Sequence, residues 1–427
     1  MPLAPRPLIT AFLLAAGWRG SVAAQTTTTL SLTAPMRAAV IDSAVARLNR
    51  LYVEPDTARL IGEGVLAKLK AGGYDRLENP AQFAEAVTKD LRALNGDLHL
   101  SLSYQPNPGN PTVPGGGDPR HQNFGVARAE ILEGNVGYLE ITGFMGAPGY
   151  RDAVVDALRL LSRTDAMIID VRRNPGGSGE MSHFVFSHFL GATPVPTIRV
   201  KRRPPSEAIV RESLAEVPGP RRPEVPLFVL TSQGTGSAAE EFSFVLKNQR
   251  RATIVGTRTA GAGHMVTFAP IVHGFLLGAS ITRVSDPATG KEWEGVGVQP
   301  DLAAPAAHAL VAAHAAAVRA IGTTADPARR AVLGRLGAWL DGRLRPPPPP
   351  AELGRWTGGY EGRTVSLQNG ALHYARRGGA MGEPLVALGG GRFALGATQY
   401  LFEERDGVVT LVVEQPDGTR ITFRKTD

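Results

Sequence analysis

Apolar side chains recur every three or four positions between residues 34 and 95. In the first part of this stretch they are Val40, Ile41, Ala44, Val45 and Leu48. This spacing places them on one face of an α-helix, which is typical of a helix packed against a core. Pro55 ends that helix, and breaks at 72–73 and at 80 divide the rest into two more helices. The pattern therefore predicts an N-terminal helical domain over residues 25–104.

After residue 121 the pattern changes to short apolar runs that alternate with helical stretches. The runs Val136–Thr142, Ala166–Val171 and Leu227–Thr231 have the length of buried strands, and helical patterns separate them. Strands that alternate with helices indicate an α/β core, which we predict for residues 121–303. The alanine-rich segment 304–345 is predicted to be helical.

The last part of the chain is predicted to form a small all-β module. Five prolines at 346–350 indicate a stiff linker over residues 346–351. Beyond it, the dipeptides Asn369-Gly370, Asp406-Gly407 and Asp417-Gly418 each lie between alternating apolar runs. Asn-Gly and Asp-Gly favour tight hairpin turns, so the pattern predicts hairpins within residues 352–427.

Residues 1–24 have the pattern of a secretory signal peptide. Arg6 precedes a short apolar run, and small residues at 22–24 give an A-x-A-like end. The run is too short to cross a hydrocarbon core of ~30 Å, and no later segment has the length of a membrane-spanning helix. We therefore expect a periplasmic or secreted protein without a stable membrane span.

Composition excludes several classes of chemistry. The 427 residues include no cysteine, which excludes disulfides, thiol catalysis, cysteine-ligated zinc and iron–sulfur clusters. The net charge of +7 is spread over short basic clusters without interleaved aromatic residues, so we expect no nucleic-acid partner. The H-E-x-x-H motif of metallopeptidases does not occur. We expect neither a metal nor an organic cofactor.

A strand, a glycine-rich turn and a helix place Ser237 at a helix N-terminus. The segment is VLTSQGTGSAAEE, from Val229 to Glu241. The hydroxyl would meet the positive end of the helix dipole, and the first amides of the helix could stabilise an oxyanion. The same pattern fits a structural capping box between Ser237 and Glu240. The segment alone leaves both interpretations open.

Three further segments carry candidate chemistry. The turn in IIDVRRNPGGSG, at 168–179, lacks a phosphate-loop signature and fits an oxyanion-binding turn. If residues 95–101 form a strand, Asp97 and His99 point to the same face, although a lone histidine is more often structural. Glu294 is followed by glycine-rich sequence and is equally compatible with a solvated loop carboxylate.

Taken in order, these segments resemble the tail-specific, or C-terminal-processing, serine peptidases, which include the tricorn core and the interphotoreceptor retinoid-binding protein. The resemblance covers roughly residues 36–303 and implies a crotonase/ClpP-like α/β core. It rests on a helical leader and on D-x-H-L at 97–100, D-x-R-x-N-x-G-G at 170–177, T-S-x-x-T-x-S-A-x-E at 231–240, T-A-G at 259–261 and E-G-x-G-V-x-P-D at 294–301. The stretch between Asp97 and Phe124 is too short for the PDZ domain that many of these peptidases carry.

The resemblance implies that Ser237 is a nucleophile, and the family divides into two mechanisms. One branch uses a lysine about 25 residues after the serine, where this chain has Ala262. The other branch, which includes the tricorn core, uses serine, histidine and glutamate. Those positions hold Ser237, His99 and Glu294 in this chain.

In this interpretation His99 takes the proton of the serine, since a hydroxyl is a poor nucleophile without a neighbouring base. Glu294 orients the imidazole and stabilises its cationic form. The tricorn core has a serine directly before its histidine, where this chain has Leu98. Either Asp97 or Ser101 substitutes for that serine, or Glu294 contacts His99 directly.

The resemblance also implies that the amides of Gly176 or Gly177, together with that of Ala238, hold the oxyanion. His264 follows a glycine-rich turn and is a rival base. The sequence thus predicts an exported serine-type peptidase that hydrolyses peptide bonds in peptide or protein substrates, and it leaves the oligomeric state open. The alternative is a non-catalytic carrier of hydrophobic ligands on the same fold.

Overall fold

The computed structural model describes residues 30–105, 118–376, 379–380 and 382–426. The predicted signal peptide lies outside these residues. The α-helices in the described part are α1 (Ala34–Leu51), α2 (Pro55–Lys70), α3 (Pro80–Arg92), α4 (Tyr150–Leu160), α5 (Gly179–Ser187), α6 (Ala238–Asn248), α7 (Ala309–Thr324), α8 (Pro327–Gly342) and α9 (Pro350–Gly354).

The strands in the same part are β1 (Ser101–Tyr104), β2 (Val126–Leu132), β3 (Val136–Ile141), β4 (Ala166–Asp170), β5 (Pro196–Arg202), β6 (Ile209–Glu212), β7 (Leu227–Thr231), β8 (Thr253–Gly256), β9 (Met265–Pro270), β10 (Phe275–Ser285), β11 (Leu302–Ala303), β12 (Gly358–Tyr360), β13 (Arg363–Gln368), β14 (Ala371–Arg376), β15 (Val386–Gly389), β16 (Arg392–Leu395), β17 (Thr398–Arg405), β18 (Val408–Glu414) and β19 (Arg420–Arg424). No helix among the described residues has the length and apolar character needed to cross a membrane.

The three N-terminal helices each carry a proline in their first turn. Proline is favoured there because the N–H that it lacks would have no partner within the helix. Thr33 and Asn79 cap α1 and α3 with side-chain oxygens that accept backbone amides. The predicted N-terminal helices are confirmed, and their ends lie close to the breaks seen in the sequence.

These helices pack on a five-stranded sheet rather than forming a core of their own. The strand order is β1-β10-β5-β6, and β9 pairs with β10 as well. Val40 and Phe83 of the helices share one core with Leu102 of β1 and Leu277 of β10. The structure therefore joins the expected helical domain of residues 25–104 to strands from much later in the chain.

A six-stranded sheet forms the centre of the α/β part, in the order β11-β8-β7-β4-β3-β2. All neighbouring strands are parallel except the pair of β2 and β3. In β7, Leu227 and Val229 face the core under α4–α6, whereas Phe228 and Leu230 face the core under α7 and α8. Helices cover both faces, which explains why these strands appear in the sequence as continuous apolar runs. The predicted α/β core is confirmed.

The glycine-rich turns after β4 and β7 meet at one edge of this sheet. The two strands are parallel neighbours, with Asp170 paired to Leu230 at their carboxyl ends. Ligand sites in open α/β sheets form outside the carboxyl ends of the strands. The fold therefore brings the turns at 171–178 and 232–237 together at the position where such a site is expected.

The C-terminal strands form a three-stranded sheet, β12–β14, and a five-stranded sheet, β15–β19, around their own aromatic core. Asn369-Gly370 and Asp406-Gly407 connect strands as predicted, and all four residues have positive φ, between 49° and 78°. The linker is shorter than expected, because α9 already begins at Pro350. The module contacts the rest of the chain at α8, where Arg335 pairs with Glu414 at 3.3 Å.

Candidate active site

Ser237 lies at the sharp turn between β7 and α6. Its backbone has a φ of 47° and a ψ of −116°, a conformation that residues other than glycine rarely adopt. Such strain persists only where the surrounding structure enforces it, and it is frequent at active sites. The hydroxyls of Ser232 and Thr235 donate to the carbonyls of Arg172 and Val171, at 2.7 and 2.8 Å. These bonds hold the serine turn against the neighbouring glycine-rich turn.

His99 approaches Ser237 from the turn before β1, in the sheet that packs against the N-terminal helices. Its Nε2 lies 3.4 Å from the Ser237 Oγ, although 138 residues separate the two in sequence. Residues 97–100 form a turn, and the strand expected there begins only at residue 101. The Arg92 guanidinium holds this turn by donating to the carbonyls of Leu98 and Leu100. Burial lowers the pKa of His99, so its ring is mainly neutral at pH 7 and can accept a proton.

Asp97 precedes His99 in the same turn and is almost fully buried. Its Oδ2 accepts the Tyr52 hydroxyl at 2.9 Å and lies 3.0 Å from the Nδ1 of His264, which must donate to an ionised carboxylate. Its Oδ1 accepts the backbone N–H of His99 at 2.9 Å and lies 3.9 Å from the Nδ1 of that ring. Burial acts to raise the pKa of Asp97, but the His264 contact and the other donors hold it well below its usual range. Both oxygens of this ionised carboxylate are therefore engaged.

Glu294 comes from the loop after β10, and only 14% of its side chain is exposed, which does not fit a solvated loop carboxylate. Its Oε2 accepts the amides of Gly263 and His264. Its Oε1 and the Nδ1 of His99 are both buried without a hydrogen-bond partner among the described residues. One side-chain oxygen or nitrogen from each of Asp97, His99 and Glu294 lies within 4.8 Å of the other two. Burial raises the pKa of Glu294 to about 7.

The expected oxyanion donors differ in whether their amides are free. The amide of Gly176 donates to the Oδ1 of Asn174 at 2.9 Å and is therefore already paired. The amides of Gly177 and Ala238 donate to no group in the described part of the chain. A β-carbon built on Gly176 would lie 2.8 Å from the Cβ of Ser237, so the two turns are in contact. The geometry thus removes Gly176 from the expected pair and leaves Gly177 and Ala238.

Ser101, a candidate for the relay beside His99, is in β1, opposite Gly278 of β10, and within the described residues it has no hydrogen bond to His99. Lys247, the lysine that follows Ser237 most closely in the sequence, extends from α6 to Asp301 at 2.7 Å. The structure therefore gives Ser101 no hydrogen bond through which it could relay to His99, and it pairs Lys247 with Asp301.

Glu240 makes more contacts than the capping box that the sequence predicts. This fully buried carboxylate accepts the amides of Ser237 and Ala262 at 2.8 Å, the Thr259 hydroxyl at 2.6 Å and the Gly261 amide at 2.7 Å. The bond to Ser237 is one arm of the expected capping box. The other three join the serine turn to the T-A-G turn at 259–261. The sequence signal was its position three residues after Ser237, which a simple helix cap explains equally well.

A cavity of about 210 Å³ opens beside Ser237. Glu241, the one acidic residue among the described residues that line it, is paired with Arg211. The apolar residues that line it are Ala238, Ala262, Met265, Val266, Val284 and Trp293. The nucleophile, the free amide of Gly177 and an apolar recess therefore lie side by side.

Residues 135–304 match the family model described as peptidase family S41. The chain carries an S41 peptidase domain. The matched region includes Ser237, Gly177, His264 and Glu294, whereas His99 precedes it. The predicted resemblance to the C-terminal-processing serine peptidases is confirmed.

The chain is also similar to individual proteins. Over 176 residues, or 40% of the chain, it is 28% identical to the carboxy-terminal-processing protease of Bartonella bacilliformis. Over 169 residues, or 39% of the chain, it is 28% identical to the carboxyl-terminal-processing protease of Synechocystis. The chain spans 39% and 37% of the length of these two relatives. A solved photosystem II D1 C-terminal processing protease overlaps 63% of this chain and 93% of its own length, with 18% identity and a TM-score of 0.40.

Proposed function

We propose that this chain is a serine-type peptidase in which Ser237 attacks the peptide carbonyl and His99 is the general base. The observation that carries this proposal is the 3.4 Å approach of the His99 Nε2 to the Oγ of a serine on a strained turn. Catalytic hydrogen bonds are often longer than ideal in ligand-free structures and shorten when substrate binds. The lowered pKa of His99 keeps the ring ready to accept the proton.

Glu294 is the acidic partner of His99 in this proposal. The Glu294 Oε1 and the His99 Nδ1 are buried and unpaired among the described residues, and buried polar atoms of this kind normally find a partner. His99 and Glu294 are neighbours in the site, since one side-chain oxygen or nitrogen of each lies within 4.8 Å of the other. Both oxygens of Asp97 already accept other hydrogen bonds. This favours direct contact with Glu294 over Asp97 and over a relay through Ser101.

The reaction then follows the steps of acyl transfer. His99 takes the proton of Ser237 as the Oγ bonds to the carbonyl carbon, and the amides of Gly177 and Ala238 hold the negative charge on the oxygen. His99 next gives that proton to the leaving amine, and an acyl-enzyme remains. Water, which loses a proton to His99, cleaves the ester and frees Ser237.

The substrate is proposed to be a peptide or protein chain whose side chain next to the cleaved bond enters the 210 Å³ cavity. Its apolar lining favours residues of the size of leucine or phenylalanine. Two relatives are named for carboxy-terminal processing, and cleavage near the carboxyl end of a protein is the corresponding proposal. Export is also a proposal, which rests on the signal-peptide pattern of residues 1–24.

A fluorophosphonate, which phosphonylates activated serines, tests the proposed function. Peptide mass spectrometry is expected to locate the adduct on Ser237, and His99→Ala is expected to abolish it because the serine loses its base. Ser162→Ala, at an exposed loop serine, is the matched control and should label normally. An unmodified Ser237, under conditions that label a reference serine peptidase, contradicts the proposal. A carrier of hydrophobic ligands would instead bind an apolar fluorescent probe without becoming labelled.

Gly177→Ala is expected to slow labelling by about 10²-fold or more, the usual effect of losing one oxyanion donor. Gly177 has a φ of 123°, and an added β-carbon would lie 2.2 Å from the Phe144 carbonyl oxygen. The backbone that carries the amide must therefore move. The second-order labelling rate checks this, with Gly191→Ala as control, since a β-carbon there meets no atom within 4 Å. Equal rates for the two variants would remove Gly177 from the oxyanion site.

A further inference from the structure

His264 lies between the two carboxylates that flank His99. Its Nδ1 is 3.0 Å from the Oδ2 of Asp97 and 3.8 Å from the Oε2 of Glu294. Its backbone amide donates to the same Glu294 oxygen at 3.0 Å. Only 9% of the side chain is exposed. One residue, directly before β9, thus contacts both acids of the site, with its ring on one and its main chain on the other.

This contact determines which acid is available to His99. The Oδ2 of Asp97 is held by His264 and by the Tyr52 hydroxyl, and its Oδ1 is held by the backbone of His99. The Oε2 of Glu294 is held by two amides of the His264 segment, which leaves its Oε1 buried and unpaired. The arrangement therefore occupies Asp97 and leaves one oxygen of Glu294 without a partner among the described residues, in a group where Asp97, His99 and Glu294 each place one atom within 4.8 Å of the other two.

The charges around His264 come from four elements. Asp97 and His99 face it from the turn before β1, Glu294 from the loop after β10, Arg283 from β10, and the neutral Tyr52 hydroxyl from the end of α1. Glu241 lines the same cavity but is paired with Arg211. Two carboxylates so close together in a buried site repel each other, and one of them takes up a proton unless a cation lies between them.

We propose that His264 is a positioning residue that carries a proton throughout catalysis, engages Asp97 so that it does not hydrogen-bond to the His99 ring, and keeps Glu294 ionised as the acid of the triad. This inference rests on the proposed function, because it concerns how the same site is prepared for proton transfer. His264 itself neither gains nor loses a proton. The moving proton passes from Ser237 to His99 and then to the leaving group.

The directions of the pKa shifts of His264 and Glu294 agree with this role. Burial acts to lower the pKa of His264, but the Asp97 contact and the charges of Glu294 and Asp97 outweigh it, and the pKa is raised. The positive charge of His264 acts in turn to lower the pKa of Glu294, which burial raises to about 7. Removing that charge is therefore expected to raise the pKa of Glu294 further.

The pH dependence of fluorophosphonate labelling tests the inference, in wild type and in His264→Gln between pH 5 and pH 10. Glutamine can still donate a hydrogen bond to Asp97 but carries no charge. Wild-type labelling is expected to rise with pH through about 7, as Glu294 ionises. In His264→Gln this rise should move up by about one pH unit, with labelling about fivefold slower at pH 7 and nearly equal to wild type at the alkaline plateau. His308→Gln, at an exposed histidine, is the matched control and should follow the wild-type curve.

A purely structural role would lower labelling by the same factor at every pH, and that outcome overturns the inference, as does an unshifted curve. Should the variant not fold, side-chain ¹⁵N NMR of the wild-type histidines decides the matter. It is expected to find one ring protonated on both nitrogens at pH 8 that His264→Ala lacks in its folded fraction, and a neutral His264 would refute the inference. Labelling that persists in Ser237→Ala would instead refute the proposed function, so the two failures are distinguishable.

Discussion

Ser237→Ala is expected to lower kcat for peptide hydrolysis by about 10⁵- to 10⁶-fold, the scale of losing the nucleophile of a serine peptidase. Alanine cannot form the acyl-enzyme, so any remaining rate comes from water held near the oxyanion amides. The substitution removes one oxygen and leaves the strained backbone to its existing supports, the Ser232 and Thr235 hydroxyl bonds and the Glu240 contact.

Release of a fluorophore from an internally quenched peptide with leucine beside the cleavage site measures this effect. Ser162→Ala serves as the control and should retain wild-type kcat, since among the described residues the Ser162 hydroxyl bonds only to the carbonyl of Arg159 in its own exposed turn. Circular dichroism should be the same for all three proteins. A Ser237→Ala protein that keeps more than about one hundredth of the wild-type kcat would show that another group is the nucleophile.

Glu240→Gln is expected to destabilise the α/β core by about 3 kcal/mol and to slow labelling at Ser237 by at least tenfold. The carboxylate accepts four hydrogen bonds, three of them from backbone amides that cannot turn away. The amide group of glutamine places N–H groups against at least one of those donors. Each buried donor left without an acceptor costs about 1–3 kcal/mol.

Urea unfolding followed by tryptophan fluorescence checks the stability, and the labelling rate below the transition checks the position of the serine. Glu85→Gln is the matched control, because Glu85 is an exposed residue on α3 and should change neither quantity. If Glu240→Gln matches that control in both measurements, the carboxylate is only a helix cap and the two turns are held together by other contacts.

The elements of the fold were largely predictable because their signals are local. The run at 227–231 has the length and composition of a buried strand, and the Asn369-Gly370 dipeptide marks its hairpin directly. The stripe that includes Val40 and Leu48 predicts α1 from its spacing alone. The spacing does not reveal which part of the chain α1 packs against. That partner is β10, more than two hundred residues later, and only the folded chain brings the two together.

The site was predictable residue by residue but not in its connections. Ser237 and Glu294 were identified by resemblance, yet the local sequence of Glu294 fitted a solvated loop, and its burial arises from packing against the His264 segment. The strand expected around His99 is a turn, because Asp97 accepts the backbone amide two residues ahead and Arg92 holds the following carbonyls. Hydrogen bonds between segments determine the burial of Glu294 and the turn at His99. The spacing of residues within one segment does not reveal such bonds.

The helices α1–α3 share one core with the sheet that contains β1 and β10. This shared core determines when the proposed site can assemble during folding. The proposed base, His99, lies in the turn before β1 of that sheet, whereas the proposed nucleophile, Ser237, follows β7 of the six-stranded sheet. The proposed activity therefore depends on the docking of both sheets. A partly folded chain, in which the two sheets are still apart, is expected to be inactive.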